Sequence, residues 1–173
     1  NLVNNMKSIQ AAYYTYQDRY QAVPGDDLLA STRFTGATNG GGNGAIAGVF
    51  SAVAAPAAGN ESNNFWQHMR AAGLLTGTGT NPTPNNFGGV IGVQGPARTY
   101  GMVGNVVCAS NIPWRIALSI DNQLDDGDAS TGKVRSGAIG VLATTAGAQT
   151  PYGPAVAATA AAEAGLHTIC MKI

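Results

Sequence analysis

Histidine, cysteine and charge are all scarce in this chain, and each scarcity closes off a class of function. His68 and His167 are the only histidines. Neither belongs to an H-E-x-x-H array, and no Gly-x-Ser-x-Gly elbow accompanies them, so hydrolase chemistry is not expected and both rings are read as surface or packing groups. Charged residues make up 10 % of the chain, against roughly 25 % in an average soluble domain. The nine basic and nine acidic side chains cancel. They are scattered, which leaves no basic stripe to follow a phosphate backbone. No apolar run reaches the roughly 18 residues of a membrane span.

The two cysteines, Cys108 and Cys170, lack the four-ligand spacing of a zinc site and fit a single disulfide better. Two separately buried thiols are the alternative. A bridge would close a loop of roughly 60 residues, stabilise by about 4 kcal/mol at most, and imply an oxidising compartment.

At 173 residues the chain is one domain, large enough for a proper core. Its N-terminal stretch carries the strongest pattern. Leu2, Met6, Ile9, Tyr13, Tyr16 and Tyr20 follow at steps of four and three, one stripe of an α-helix over residues 1–23. Val23-Pro24-Gly25 is the predicted stop. The chain starts at full helical stride without a cap, and Asn1 is read as a cut end. Packing accounts for Tyr13, Tyr16 and Tyr20 without an electron-transfer role, whereas Tyr14 points away from the stripe, towards a neighbouring molecule.

Residues 24–86 read as a loop-rich connection. Leu28, Leu29, Ala30 and Phe34 form a short apolar segment. Gly36 to Gly59 is rich in Gly, Ala, Asn and Ser and is expected to run over the surface, mobile at its glycines, with at most a weak turn over 45–55. A second helix is predicted near 63–73, capped by Ser62 or Asn63 and stopped by Gly73. Residues 87–173 supply the sheet. Strands are expected at 90–93, at 100–107 running into Cys108, at 133–142 and at 167–173. Trp114 to Leu124 fits both a strand alternation and a helix opened by Pro113, with the helix favoured. A short helix is expected around 155–163. The whole is an α+β plan, a long N-terminal α-helix on an antiparallel β-sheet.

One cluster has chemical potential. Asp121, Asp125, Asp126 and Asp128 are hard oxygen ligands in a Gly-containing turn and are a weak Ca²⁺ candidate, since Gln123 and Leu124 break the EF-hand register. Pairing with Lys133 and Arg135 is the alternative. Gly127 to Lys133 approximates a phosphate-binding loop, but Val134 stands where Mg²⁺ needs a hydroxyl and Asp128 would repel phosphates. Gly42 to Ala47 imitates a dinucleotide fingerprint without the strand that should precede it. No nucleotide, and no cofactor other than possible Ca²⁺, is expected.

The helix stripe, the phrase Tyr20-Gln21-Ala22-Val23-Pro24-Gly25-Asp26-Asp27, the segments Asn64 to Leu75 and Ile120 to Gly127, and the C-terminal cysteine pair resemble type IV pilins of the bacterial prepilin-type family. The resemblance implies a pilin-like headpiece over 1–173 that lacks the hydrophobic N-terminal half-helix, with Cys108 and Cys170 bridged around the variable region of the fibre. It implies a non-catalytic structural subunit for attachment, motility or DNA uptake. Its partners would be identical subunits in a helical filament, minor pilins and the inner-membrane assembly machinery. Its location would be an extracellular pilus, reached from the inner membrane through the missing segment. A type II secretion pseudopilin is the nearest alternative. A secreted carbohydrate-binding adhesin domain is another, and its aromatic platform would have to be Trp66 or Trp114.

Overall fold

The computed structural model describes residues 1–95, 99–138, 149–153 and 165–173. The expected helix over 155–163 and the end of the strand expected at 133–142 lie outside them. Helix α1 (Leu2–Tyr20) is 19 residues long, roughly 28 Å at the helical rise. Contrary to the uncapped start expected from sequence, the Asn1 carboxamide accepts from the Val3 N–H at 3.0 Å. The helix stops before Pro24, because Gln21 turns left-handed at φ 51°. After a single turn, α2 (Ala30–Arg33), comes α3 (Glu61–Ala71). It begins ahead of the predicted Ser62 or Asn63 cap because Glu61 already sits in its first turn.

Strands β1 (Thr83–Pro84), β2 (Val90–Gln94), β3 (Val106–Pro113), β4 (Val134–Ala138) and β5 (Leu166–Lys172) pair antiparallel in the order β1-β2-β3-β5-β4. The strand expected at 100–107 is displaced towards the C-terminus. Tyr100 has φ 44° and occupies a turn, so extended backbone begins only at Val106. Trp114–Leu124 is a helix, α4. Pro113 precedes it as N-cap, and a register shift between Ala109 and Ile112, with Asn111 at φ 60°, ends the regular ladder just before.

Side chains alternate between the two faces of the sheet. Val107, Ala109, Ile169 and Met171 face a core shared with Met6, Tyr16, Phe65, Trp66 and Met69 of α1 and α3. Val106, Cys108 and Cys170 face the other way, against Phe50, Tyr100 and Met102. Cys108 and Cys170 stand directly opposite each other on β3 and β5 and form a disulfide. On this second face Gly92 lets the chain pass close by, since any Cβ there would run into the Phe50 backbone.

The Gly36–Gly59 stretch runs over the surface for most of its length, with Gly41 to Gly44 exposed, but it is anchored where Gly40, Ile46 and Phe50 are buried. Ile46 is 1 % exposed and belongs to the main core, and Phe50 is 4 % exposed beneath the second face. Composition does not reveal these anchors, because the segment is held by backbone N–H groups and close approach, neither of which needs many apolar side chains. No helix among the described residues is long and apolar enough to cross a membrane.

Candidate functional site

Met6, Ile9, Tyr13 and Tyr16 of the predicted stripe are buried, with Leu2 and Tyr20 half-buried at its ends; Val3 and Ala12 are buried beside them. Tyr14 is 47 % exposed. The stripe thus seats α1 on the sheet and on α3, and its lower end leads into a polar network that periodicity does not reveal.

Pro24 and Gln21 turn the chain so that Gly25, Asp26 and Asp27 fold back under α1. Tyr16 donates its hydroxyl hydrogen to Asp27 Oδ2 at 2.7 Å, and the Leu29 N–H donates to Oδ1 at 2.8 Å. The Arg33 guanidinium forms an ion pair with Oδ2, the single salt bridge among the described residues. Burial pushes the Asp27 carboxyl up, but the hydrogen bonds from Tyr16, Leu29 and Arg33 prevail and hold it below its ordinary range. The same pairing, added to burial, drives the Tyr16 phenol strongly upward.

His68, fully buried on α3, accepts from the Gly25 N–H through Nδ1 at 2.9 Å. Its proton therefore sits on Nε2, which donates to the Thr38 carbonyl at 2.7 Å. Burial lowers its pKa, and protonation of Nδ1 would sever the Gly25 bond.

The neighbouring carboxylates serve the glycine-rich segment. Asp26 accepts from Gly42 at 2.5 Å, Asn43 at 3.2 Å and Gly44 at 2.5 Å. Glu61 accepts from Gly41 and Ala47, each at 2.7 Å. Consecutive N–H groups of this kind form an anion-binding concavity, and here the protein's own side chains fill it. Burial raises the Glu61 pKa, and the facing Asp26 carboxyl adds to the rise. The site that sequence reasoning missed is thus Asp26, Asp27, Glu61 and His68. Its only linear signal is the Pro-Gly-Asp-Asp phrase. Beside it runs a groove of about 740 Å³, edged by Gln17, Asp18 and Gln21 of α1 and by Leu28 and Leu29. Both leucines are more than half exposed.

In the C-terminal acidic turn, Asp121, Asp125 and Asp126 bring one oxygen each within 4.8 Å of one another. Asp128 is not among them; it accepts instead from Ser130 N at 2.9 Å and Ser130 Oγ at 2.6 Å. The others also have protein donors: Tyr152 and Gly127 on Asp121, Lys133 N and Val134 N on Asp125, Asp128 N and Thr131 Oγ1 on Asp126. Lys133 thus contributes its backbone rather than its ammonium. Arg135 donates to the Tyr100 carbonyl at 2.9 Å rather than to these carboxylates. Burial raises the Asp121 pKa against the Tyr152 bond. In the Gly127–Lys133 turn, whose sequence imitates a phosphate loop, the amides of Gly127, Asp128, Ser130 and Lys133 are directed at this chain's own carboxylates, and that of Thr131 at the Asp128 carbonyl.

Ser136 Oγ and His167 Nδ1 lie 2.7 Å apart, with both residues buried. This serine–imidazole pair links the adjacent strands β4 and β5 through their side chains. Trp66 is 1 % exposed and so provides no aromatic platform. Trp114 is half-buried, with the Arg115 guanidinium 4.6 Å from its ring centroid. No family model, curated protein or solved structure matches this chain. The functional reading therefore rests on its own residues and geometry.

Proposed function

We propose that this chain is the headpiece of a structural filament subunit of the type IV pilin kind, assembling through its N-terminal helix with copies of itself. The observation that carries the reading is the asymmetry of α1. One side is sunk into the sheet and α3, while Asn4, Lys7, Ala11, Tyr14, Thr15 and Asp18 along the other side are exposed. A helix fixed to its own domain on one side and free on the other can be bundled with copies of itself. Repeated head-to-tail contacts that do not close into a ring produce a fibre.

Two further features support it. The polar network locks the foot of α1 to the rest of the domain, so that force along the helix passes into a disulfide-bridged sheet. Nine basic against nine acidic residues give little like-charge repulsion between densely packed copies. In this reading the filament is extracellular, and an apolar segment preceding Asn1 anchors the subunit in the inner membrane before assembly.

The test begins with the encoded polypeptide immediately before Asn1. The expected result is a run of about 20 apolar residues behind a short basic leader. A conventional secretory signal cleaved directly before Asn1 overturns the reading. Electron microscopy of source cells with and without the gene then asks for loss, or a changed number, of surface filaments.

A further inference from the structure

Between the first turn of α1, the β1–β2 turn and one side of α4 lies an open cavity of about 300 Å³, at the lower end of the range for small-ligand sites. Phe87 and Ile116, two large apolar side chains each more than a third exposed, stand in its wall. Four polar side chains line it as well, from three separate elements: Asn5 on α1, Asn86 in the turn, and Ser119 and Gln123 on α4. All four residues are exposed, and none of their side chains has a hydrogen-bond partner among the described residues. No charged side chain lines the cavity, and neither Trp66 nor Trp114 reaches it.

The loop that carries Phe87 is held firmly from within. The Asn85 carboxamide accepts from Phe87 N at 2.9 Å and Gly89 N at 3.0 Å, and its Nδ2 donates to the Ser110 carbonyl at 2.8 Å. Asn85 N closes the turn on the Gly89 carbonyl at 2.9 Å, and the Asn111 side chain donates to the Gly88 carbonyl at 3.0 Å. Gly89 lets the loop lie against β3, since a Cβ there would collide with the Ser110 carbonyl. An aromatic ring fixed in this way offers contact area at little cost in ordering. Across the cavity, Ile116, Ser119 and Gln123 follow at helical spacing along one side of α4. Carboxamides and hydroxyls each both donate and accept, so together they match a ligand whose rim does the same. Without a charged partner an ion gains little here, and a wholly apolar ligand would strip water from the polar groups without replacing its hydrogen bonds. A pyranose ring meets both conditions, with a rim of hydroxyls around an apolar C–H face.

We propose that this cavity binds one neutral sugar ring, with the C–H face on Phe87 and Ile116 and the hydroxyls on Asn5, Asn86, Ser119 and Gln123. The inference does not depend on the filament reading. The probes are the methyl glycosides of glucose, galactose, mannose and N-acetylglucosamine, added to the ¹⁵N-labelled chain while its backbone and carboxamide N–H signals are followed by NMR. At least one glycoside is expected to shift the Phe87 backbone signal and the Gln123 carboxamide signals saturably. No saturable shift with any of the four overturns the proposal and leaves these side chains to water. Cyclohexanol, which keeps a ring but has a single hydroxyl, is expected to leave the signals in place; shifts equal to those with the glycosides overturn the sugar assignment. N-acetylalanine methylamide stands in for a peptide, and tighter binding of it than of every glycoside overturns that assignment too. Phe87→Ala and Gln123→Ala alter exposed side chains and leave the core untouched. The first, read at Gln123, is expected to weaken glycoside binding by about tenfold, and the second, read at Phe87, by about fivefold. Unchanged affinity in either variant overturns the proposal.

Discussion

Tyr16 on α1 and Asp27 beyond the helix foot, eleven residues apart, share a 2.7 Å hydrogen bond from which water is excluded. Removing the hydroxyl in Tyr16→Phe leaves the ring in place and deprives a buried carboxylate of one donor, which should cost about 1.5–3 kcal/mol. Asp27→Asn keeps the shape but abolishes the charge opposite Arg33. With Asp27 sealed and Arg33 partly exposed, the cost should fall near the low end of broken buried pairs, about 3 kcal/mol. Urea unfolding of both single variants and the double variant gives the check. The double variant is expected to lose less than the sum, because both changes act on one bond. Strict additivity would mean that Tyr16 and Asp27 are not coupled.

The buried histidines set the direction of the pH dependence. His68 and His167 both have pKa values lowered by burial. Asp27 and Arg33 face His68 with opposite effects, and Tyr16 stacks on its ring at 6.3 Å. The unfolded chain binds a proton on each ring below about pH 6.5, whereas the folded protein holds both rings neutral to lower pH. Stability from this source is complete above about pH 6.5 and falls by up to about 1.4 kcal/mol per pH unit per histidine as the solution is acidified. Asp27 adds a loss below about pH 4, where its unfolded counterpart protonates. Glu61 and Asp121, whose carboxyls are raised, act in the opposite sense: their contribution is present at low pH and is lost as pH rises through their folded values. Comparing wild type with His68→Gln isolates one contribution. The variant's stability between pH 5 and 6.5 should fall less steeply, by up to about 1.4 kcal/mol per pH unit; parallel curves would show that His68 does not titrate on unfolding.

What can be read from the chain alone follows the range of the interactions concerned. The α1 stripe is self-contained, since each apolar residue is three or four from the next, and it predicts the bounds of the helix to within a few residues. Trp114–Leu124 fits two periods, and the deciding factors, Pro113 and the irregularity at Asn111, are local as well. The glycine-rich segment defeats a reading by composition because its partners are distant in sequence. Asp26 and Glu61 gather its N–H groups, and Asn105, 59 residues away, accepts from Ile46 N at 2.9 Å. A carboxylate that ends up sealed cannot be told from a solvated one by composition. The foot of α1, the most highly connected polar site, is therefore visible in the sequence only as an unexplained Pro-Gly-Asp-Asp phrase.

Two glycines separate close packing from simple loop composition. Gly40 is buried, and a Cβ there would collide with the backbone of Gly25 and Asp26. Gly40→Ala must therefore displace the turn that orients Asp26 and should destabilise by about 3 kcal/mol or more. Gly59 lies in the same composition class but has nothing within 4 Å of its absent Cβ and no positive φ. Gly59→Ala should be neutral or stabilise by up to about 1 kcal/mol, through the reduced freedom of the unfolded chain. Thermal denaturation of the two variants side by side decides the matter. Similar losses in both would mean that the segment responds to substitution generally rather than through the contact at Asp26.

The disulfide should behave as a sealed staple. Cys108 and Cys170 face each other on neighbouring strands, 62 residues apart in sequence, with α4 and β4 between them and neither cysteine exposed. A thiolate must reach a sulfur to break the bond, so reduction requires β3 and β5 to separate first. In native buffer the bridge should resist dithiothreitol, and sub-denaturing urea should accelerate its loss in step with opening of the sheet. Trapping free thiols over time at several urea concentrations measures this directly. Once reduced, the chain loses a constraint on its unfolded state worth up to about 4 kcal/mol in the loop-entropy model. A Cys108→Ala, Cys170→Ala double variant should show that loss as a lower urea midpoint. Because β3 still pairs with both β2 and β5 around Val107, Ala109 and Ile169, the variant should keep its strands under mild conditions. Rapid reduction in native buffer at a rate independent of urea would show that the bridge is reached from the surface, contrary to the burial of both cysteines.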